Sequence, residues 1–201
     1  MVTVARSWAG QTVVCLGSGP SLTADDAAYC RGRAKVIAVK DAVRLAPFAD
    51  ALYACGADYS EWWTRVGPTL ADFAGLRYTL DPLASAWGAT VLEATGVEGL
   101  ELQPSGLRTG RNSGYQAINL AVHLGASRIV LLGYDLQRAS DGTDHYFGDH
   151  PHGRKPPFEE FRPWYATLVA PLAALGIPIV NASRRTALDC FPCQPLGEAL
   201  A

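Results

Sequence analysis

Three of the chain's four histidines, His145, His150 and His152, fall within eight positions of one another. They sit in a polar stretch from Gln137 to Pro157 that also holds Asp141, Asp144, Tyr146, Asp149, Arg154 and Lys155. Imidazole exchanges protons near neutral pH, so such a segment offers general acid–base chemistry. Loops of this length and charge in a compact domain usually serve a site or form a lid. The bland alternative is a solvated loop whose histidines are incidental. His145, His150 and Asp149 are zinc-ligand types, but their spacing matches no ligand pattern. Cys190-Phe-Pro-Cys193 has C-x-x-C spacing without a second pair to complete a site, so no metal is expected.

A second candidate is Gly17-Ser-Gly-Pro-Ser21, which follows an apolar run and precedes a helix start. Strand, glycine turn and helix end together make an anion-binding geometry in which Gly17 and Gly19 let backbone N–H groups approach a phosphate. The turn lacks the third glycine of the dinucleotide fingerprint and the Lys-Ser/Thr of a P-loop. A plain tight turn without ligand is the competing reading.

The elements that would carry these groups are legible. Thr12–Leu16, Lys35–Val39, Ala51–Cys55, Arg128–Leu132 and Ile177–Asn181 are short apolar runs of strand length. Thr23 with Asp26 three residues on reads as a capping box opening a helix. Asn112 or Ser113 caps a second helix, with apolar Ile118, Ala121, Val122 and Leu124 at helical spacing and Gly125 at its end. Phe158–Leu175 reads as a helix that Pro163 and Pro171 kink or split. The segment 67–106 shows only weak patterns, with Leu76–Leu80 and Val91–Leu92 as short strand candidates. The tail from Thr186 packs back through Leu188, Phe191 and Leu196. Trp62-Trp63 reads first as core, with base stacking as the lesser alternative; mid-helix His123 reads as structural. Strands alternating with helices predict an α/β chain with a parallel sheet, whose ligands sit at the strands' carboxyl ends.

Composition agrees with one globular domain spanning 1–201 with a lid loop at about 137–157. The hydrophobic fraction is 49% against 18% charged, ample for a core. A net charge of −2 gives no reason to expect nucleic acid as the main partner. The N-terminus carries neither a signal peptide nor a membrane span, and five scattered cysteines suit reduced thiols, which together place the chain in the cytoplasm. A homo-oligomer is among the expected partners, beside a small-molecule nucleotide ligand.

The glycine turn, the Ser113-Gly114 helix running into Leu-Gly-Ala-x-x-Ile-x-Leu-Leu-Gly-Tyr-Asp, the His-Tyr-Phe-Gly-x-His loop and the Asn-Ala-Ser segment recur in this order in two related groups. One is the bacterial Cst-type sialyltransferases. The other is the MptE-like group, which takes in archaeal hydroxymethyl-dihydropterin pyrophosphokinases and phage proteins of unassigned function, and the chain looks most like its compact phage members. The resemblance implies a Rossmann-like three-layer sandwich with a mostly parallel sheet, binding a nucleotide or nucleotide sugar, with a CMP-type donor. Ser18 falls where the sialyltransferases place an asparagine that touches the nucleotide, and Lys40 or Asp41 where they place a second. Ser113 and Gly114, beside Asn112, match their cytidine-monophosphate contact. Asp135 matches the aspartate after the central strand, and Tyr146 a tyrosine near the donor phosphate. His150 matches their general base, allowing for one extra residue in the loop, and Arg111 lies next to the position of their arginine. The implied function is a glycosyltransferase-like transferase in which Gly17, Gly19 and Ser21 hold the nucleotide, Tyr146 and Arg154 attend its phosphate and His150 takes the proton. A pyrophosphokinase using ATP and magnesium, held by Asp58, Asp135, Asp141 or Asp144, is the alternative, and a non-catalytic phage-associated binding or assembly module is another.

Overall fold

The computed structural model describes residues 2–55, 59–150, 153 and 155–201, with the side chains of 59–61 left aside. β-Branched and apolar residues dominate the first strand, β1 (Thr12–Leu16), which is buried on both faces as expected of a central parallel strand. It is followed by α1 (Ala24–Tyr29), β2 (Lys35–Val39), a short 3₁₀ turn at 40–44, β3 (Ala51–Tyr53) and α2 (Tyr59–Val66). Next come β4 (Leu76–Thr79), β5 (Thr90–Val91), β6 (Glu93–Ala94) and β7 (Gly106–Leu107), then α3 (Ser113–Leu124) and β8 (Arg128–Leu132). The chain ends with α4 (Phe158–Ala166), α5 (Val169–Ala174), β9 (Ile179–Asn181) and α6 (Leu196–Ala199).

Seven strands form one sheet in the order β5-β4-β3-β2-β1-β8-β9, and every pair in it is parallel. Side-chain alternation splits the core in two. Val13, Cys15, Ile37, Tyr53, Ile129 and Leu131 face α3, while Val14, Leu16, Val36, Leu52, Val130 and Leu132 face α1 and α2. Helices therefore cover both faces, and the fold is a Rossmann-like three-layer α/β sandwich. The strand order reverses at β1, which has β2 on one side and β8 on the other. In open α/β sheets the crevice outside the carboxyl ends at such a switch point is where ligands bind. No helix among the described residues is long and apolar enough to cross a membrane.

Local chemistry sets the helix boundaries. Thr23 Oγ1 accepts from Asp26 N at 3.1 Å and Asp26 Oδ2 accepts from Thr23 N at 3.2 Å, the expected capping box. Arg184 then grips Asp26 with two 2.8 Å bonds and ties the segment after β9 to α1. Asn112 caps α3, which ends at Gly125 in the left-handed region. His123 is structural, with Nε2 2.8 Å from the Gly106 carbonyl oxygen. Trp63 is wholly buried, edge-on to Trp62 at 5.1 Å and stacked on Trp87 at 6.4 Å.

Several expectations need correction. β3 stops at Tyr53 and β9 starts at Ile179, each two residues shorter than the apolar run suggested. The helical stretch after the lid is split, but at Thr167 and Leu168 rather than at a proline. Pro163 lies inside α4, and Pro171 falls in the first turn of α5, where its missing N–H costs no helical bond. The weakly patterned 67–106 segment extends the sheet by β4 and β5 and adds the two-stranded β6-β7 pair. The five cysteines, by contrast, are free thiols as expected, three of them buried.

The two central strands continue to approach each other beyond their ends. Gly17 N donates to Leu132 O at 2.7 Å and Gly19 N to Gly133 O at 2.8 Å. A Cβ on Gly19 would lie 2.1 Å from Asp135 Oδ1, so no other residue fits there. Replacing Gly19 with Ala is expected to cost about 2 kcal/mol or more through overpacking, read as a lower midpoint in urea unfolding; an unchanged midpoint would refute this contact.

Candidate functional site

The carboxyl ends of β1, β2, β3 and β8, the amino end of α3 and the lid loop enclose a cavity of about 420 Å³. That volume falls in the range of small-molecule sites. From the sheet come Gly17, Ser18 and Gly19 after β1, Lys40 and Asp41 after β2, Cys55 near β3, and Gly133, Tyr134 and Leu136 after β8. Arg111, Asn112, Ser113 and Gly114 arrive with α3, and Trp62 and Arg65 with α2. The lid supplies His145, Phe147, His150 and Lys155, and α4 closes the wall with Phe158, Phe161 and Tyr165.

Backbone strain marks the rim. The non-glycine residues with left-handed φ are Lys40 at 51°, Arg111 at 54° and Leu136 at 48°, and all three line the cavity. Such conformations cost on the order of 1–3 kcal/mol each and persist where the surroundings over-determine them, commonly at functional sites. Four cationic side chains, Lys40, Arg65, Arg111 and Lys155, share the cavity with the carboxylate of Asp41, and Lys155 is itself paired with Asp149 at 2.5 Å and Asp144 at 3.2 Å. Asp41 is only 2% exposed and is held by Arg44 at 2.9 Å, Arg65 at 3.6 Å and the Trp62 Nε1 donor at 2.9 Å. The amino end of α3 adds the positive pole of a twelve-residue helix. The balance favours an anionic ligand.

Asn112 and Ser113 also build the frame. Asn112 Oδ1 accepts from Gly114 N at 2.8 Å, Tyr115 N at 3.3 Å and Tyr165 Oη at 2.7 Å. Ser113 Oγ donates to the Cys55 carbonyl and so anchors α3 to the segment after β3.

The lid is strapped across the ends of β1 and β2. Tyr146 N donates to Ser18 O at 3.1 Å, and the Tyr146 hydroxyl donates to Asp41 O at 2.5 Å. Asp144, with none of its surface exposed, pairs with Arg138 at 2.9 Å and Lys155 at 3.2 Å, joining the two ends of the loop. His145 is 8% exposed and lies flat against Phe147, with ring centroids 4.9 Å apart. Its Nδ1 is 3.2 Å from Ser18 Oγ and its Nε2 is 3.0 Å from His150 Nε2. Burial, reinforced by His150, pushes the His145 imidazole down to about 4, so it is neutral at physiological pH.

Of the residues singled out from sequence, Gly17, Ser18, Gly19, Lys40, Asp41, Arg111, Asn112, Ser113, Gly114 and His150 line this one cavity. Ser21, Asp135 and Tyr146 do not. Ser21 gives its N–H to Asp135 Oδ2 at 2.8 Å, and Asp135, 2% exposed, braces the glycine turn from behind. Asp135 and Ser21, expected at a catalytic place and a nucleotide contact, thus lie beside the glycine turn bonded to each other and outside the cavity lining. The Tyr146 hydroxyl is committed to the Asp41 carbonyl, so it is a lid anchor. The Gly17 and Gly19 N–H groups donate to Leu132 and Gly133, so the glycines permit strand-end contact instead of cradling a phosphate. Arg154, His152 and Asp58 lie outside the described residues. Sequence reasoning placed His145 in the acid–base loop but gave it no role of its own beside His150, and it did not single out Arg65 or the aromatic wall. Adjacency to Tyr146 in the histidine-rich loop was the available signal for His145; Arg65 had none, because its place depends on how α2 packs.

No protein-family model matches the chain, and no curated protein does. Among solved structures there is a likeness to a short-chain dehydrogenase from Oenococcus oeni PSU-1, 13% identical, covering 94% of this chain and 86% of that one with a TM-score of 0.28. At that score the likeness carries no argument, and the fold class rests on strand order and layering.

Two predictions follow from the strain and burial at this site. Arg111 is exposed, so Arg111→Gly is expected to be about 1 kcal/mol more stable than Arg111→Ala, since only glycine adopts the left-handed backbone without cost; equal unfolding midpoints would contradict the strain. Burial raises the Asp135 carboxyl to about 6, against which the Ser21 bonds work only in part. A carboxyl raised above its unfolded value near 3.9 binds its proton more tightly when folded, so its contribution to stability falls as pH rises from about 4 to about 6. Wild type is expected to lose on the order of 2–3 kcal/mol across that window relative to Asp135→Asn, measured by urea unfolding at a series of pH values; parallel profiles would show that the carboxyl is not raised.

Proposed function

We propose that the chain is a nucleotide-binding transferase, a glycosyltransferase resembling the Cst-type sialyltransferases, with His150 as general base. The observation that carries this reading is that His150 shares one cavity with the glycine turn, the amino end of α3 and four cationic side chains. In such a transfer the acceptor's hydroxyl oxygen bonds to the donor's anomeric carbon, and the bond from that carbon to the phosphate oxygen breaks. The electron pair leaves with the nucleotide phosphate, and the acceptor's proton passes to His150. Lys40, Arg65 and Arg111, with the dipole of α3, offset the charge that grows on the leaving phosphate. Ser18 and Ser113, with Asn112, line the wall where the nucleotide sits. The Phe147, Phe158 and Phe161 side chains exclude water from the lid side, which strengthens each polar contact within. A CMP-type donor follows from the motif resemblance at Ser113 and Gly114.

The pyrophosphokinase reading needs carboxylates to hold magnesium between phosphates. Asp135, Asp141 and Asp144 do not line the cavity, and Asp58 lies outside the described residues. The cavity's own carboxylate, Asp41, is already engaged by two arginines and a tryptophan. The sialyltransferase-like reading is therefore preferred.

Titration calorimetry of the chain against CMP, other nucleotides and nucleotide sugars, with magnesium and with EDTA, tests the proposal. Micromolar binding of CMP or a CMP-sugar that survives EDTA is expected. Binding of ATP strictly dependent on magnesium would transfer the case to the kinase, and silence across the panel to a non-catalytic module. With a donor identified, His150→Ala is expected to lower turnover on the order of 10²-fold or more while leaving nucleotide affinity within a few-fold.

A further inference from the structure

We infer that His145 is a positioning residue for His150, accepting a hydrogen bond from His150 whenever that residue carries the transferred proton. The inference rests on the reading of His150 as the base. Its physical basis is the continuous chain from Ser18 Oγ through both nitrogens of His145 to His150 Nε2, with links of 3.2 and 3.0 Å.

The direction of that chain follows from proton counting. A protonated His150 bears hydrogen on both ring nitrogens, so its Nε2 can only donate. The facing Nε2 of His145 must then present a lone pair, which requires His145 to be neutral with its own hydrogen on Nδ1. That hydrogen points at Ser18 Oγ, which accepts it. The arrangement serves as the third member of a nucleophile–base–orienter set, with an uncharged imidazole where such sets commonly have a carboxylate.

Two features hold His145 in this state. Burial keeps it uncharged even though Asp144, its neighbour in the chain, and Asp41 both favour the charged form. Stacking on Phe147 at 14° to its plane, with Phe158 edge-on at 6.4 Å, fixes the ring so that Nδ1 and Nε2 reach opposite partners. Lys40, Arg65, Arg111 and Lys155 are the cations on the same cavity wall.

The test is long-range proton–nitrogen NMR on the full chain with ¹⁵N-labelled histidine, which reports both tautomer and titration midpoint. Below the His150 midpoint and above about 4, His145 is expected to carry its hydrogen on Nδ1; a hydrogen on Nε2 overturns the proposal with no variant required. His145→Phe keeps a flat ring but removes the acceptor, and should lower the His150 midpoint by about one pH unit. His145→Gln retains an acceptor oxygen and should hold the midpoint to within a few tenths. An unmoved midpoint in the Phe variant, or an equal fall in the Gln variant, overturns the proposal. These readings require no turnover, so they stand or fall separately from the proposed transfer chemistry.

Discussion

The close approach of β1 and β8 beyond their last paired residues is the constraint on which the rest depends. Two backbone bonds, from Gly17 to Leu132 and from Gly19 to Gly133, zip the strand ends together. A Cβ on Gly17 would meet the Gly133 carbonyl oxygen at 2.5 Å, so that contact exists only with glycine there. Asp135 completes the lock by accepting from Ser21 N behind the turn. This closure turns the Ser18 side chain to His145 and sets the Ser18 carbonyl where Tyr146 N can reach it. The lid thus takes its position from the same two strands that define the crevice.

Strain and burial collect around that closure. Lys40, Arg111 and Leu136 adopt left-handed backbone at the ends of β2, before α3 and after β8, the three places where the chain turns away from the sheet edge into the cavity wall. The local cost of each turn is offset by the packing of the elements on either side, which is how a rigid α/β layer can hold unfavourable conformations at its rim. Asp144 does for the lid what Asp135 does for the glycine turn. It is a buried carboxylate whose partners, Arg138 and Lys155, come from opposite ends of the loop. Leaving either side of such a pair unmatched is costly, so the loop is held closed at its base.

Much of the scaffold was legible because its signals are local. The apolar runs of β1, β2 and β8 match the strands residue for residue, and the capping box at Thr23 and the Asn112 and Gly125 boundaries of α3 were read from single residue types with known conformational demands. Between 67 and 106 the run Leu76–Leu80 anticipated β4 and Val91–Leu92 overlapped β5, but β6 and β7 left no pattern. β5, β6 and β7 are two residues each, too short for any period to register, and exist because neighbouring strands supply their hydrogen bonds. The break between α4 and α5 escaped for a related reason, since proline is a strong local signal and drew attention from the residues where the helix does end.

By itself the sequence determined the alternation of strand and helix, the glycine that ends α3 and the set of polar types gathered in the lid, because these follow from backbone sterics and hydrophobic period. Only the tertiary structure decided which of those polar groups face the cavity. It turned Asp135, Ser21 and Tyr146 into supports, brought in Arg65 from α2 and set His145 against His150. The supports among them depend on contacts between residues more than a hundred positions apart, as Ser18 with His145, Ser21 with Asp135 and Tyr146 with Asp41, where the direction of a side chain is fixed by packing and leaves no trace in local spacing.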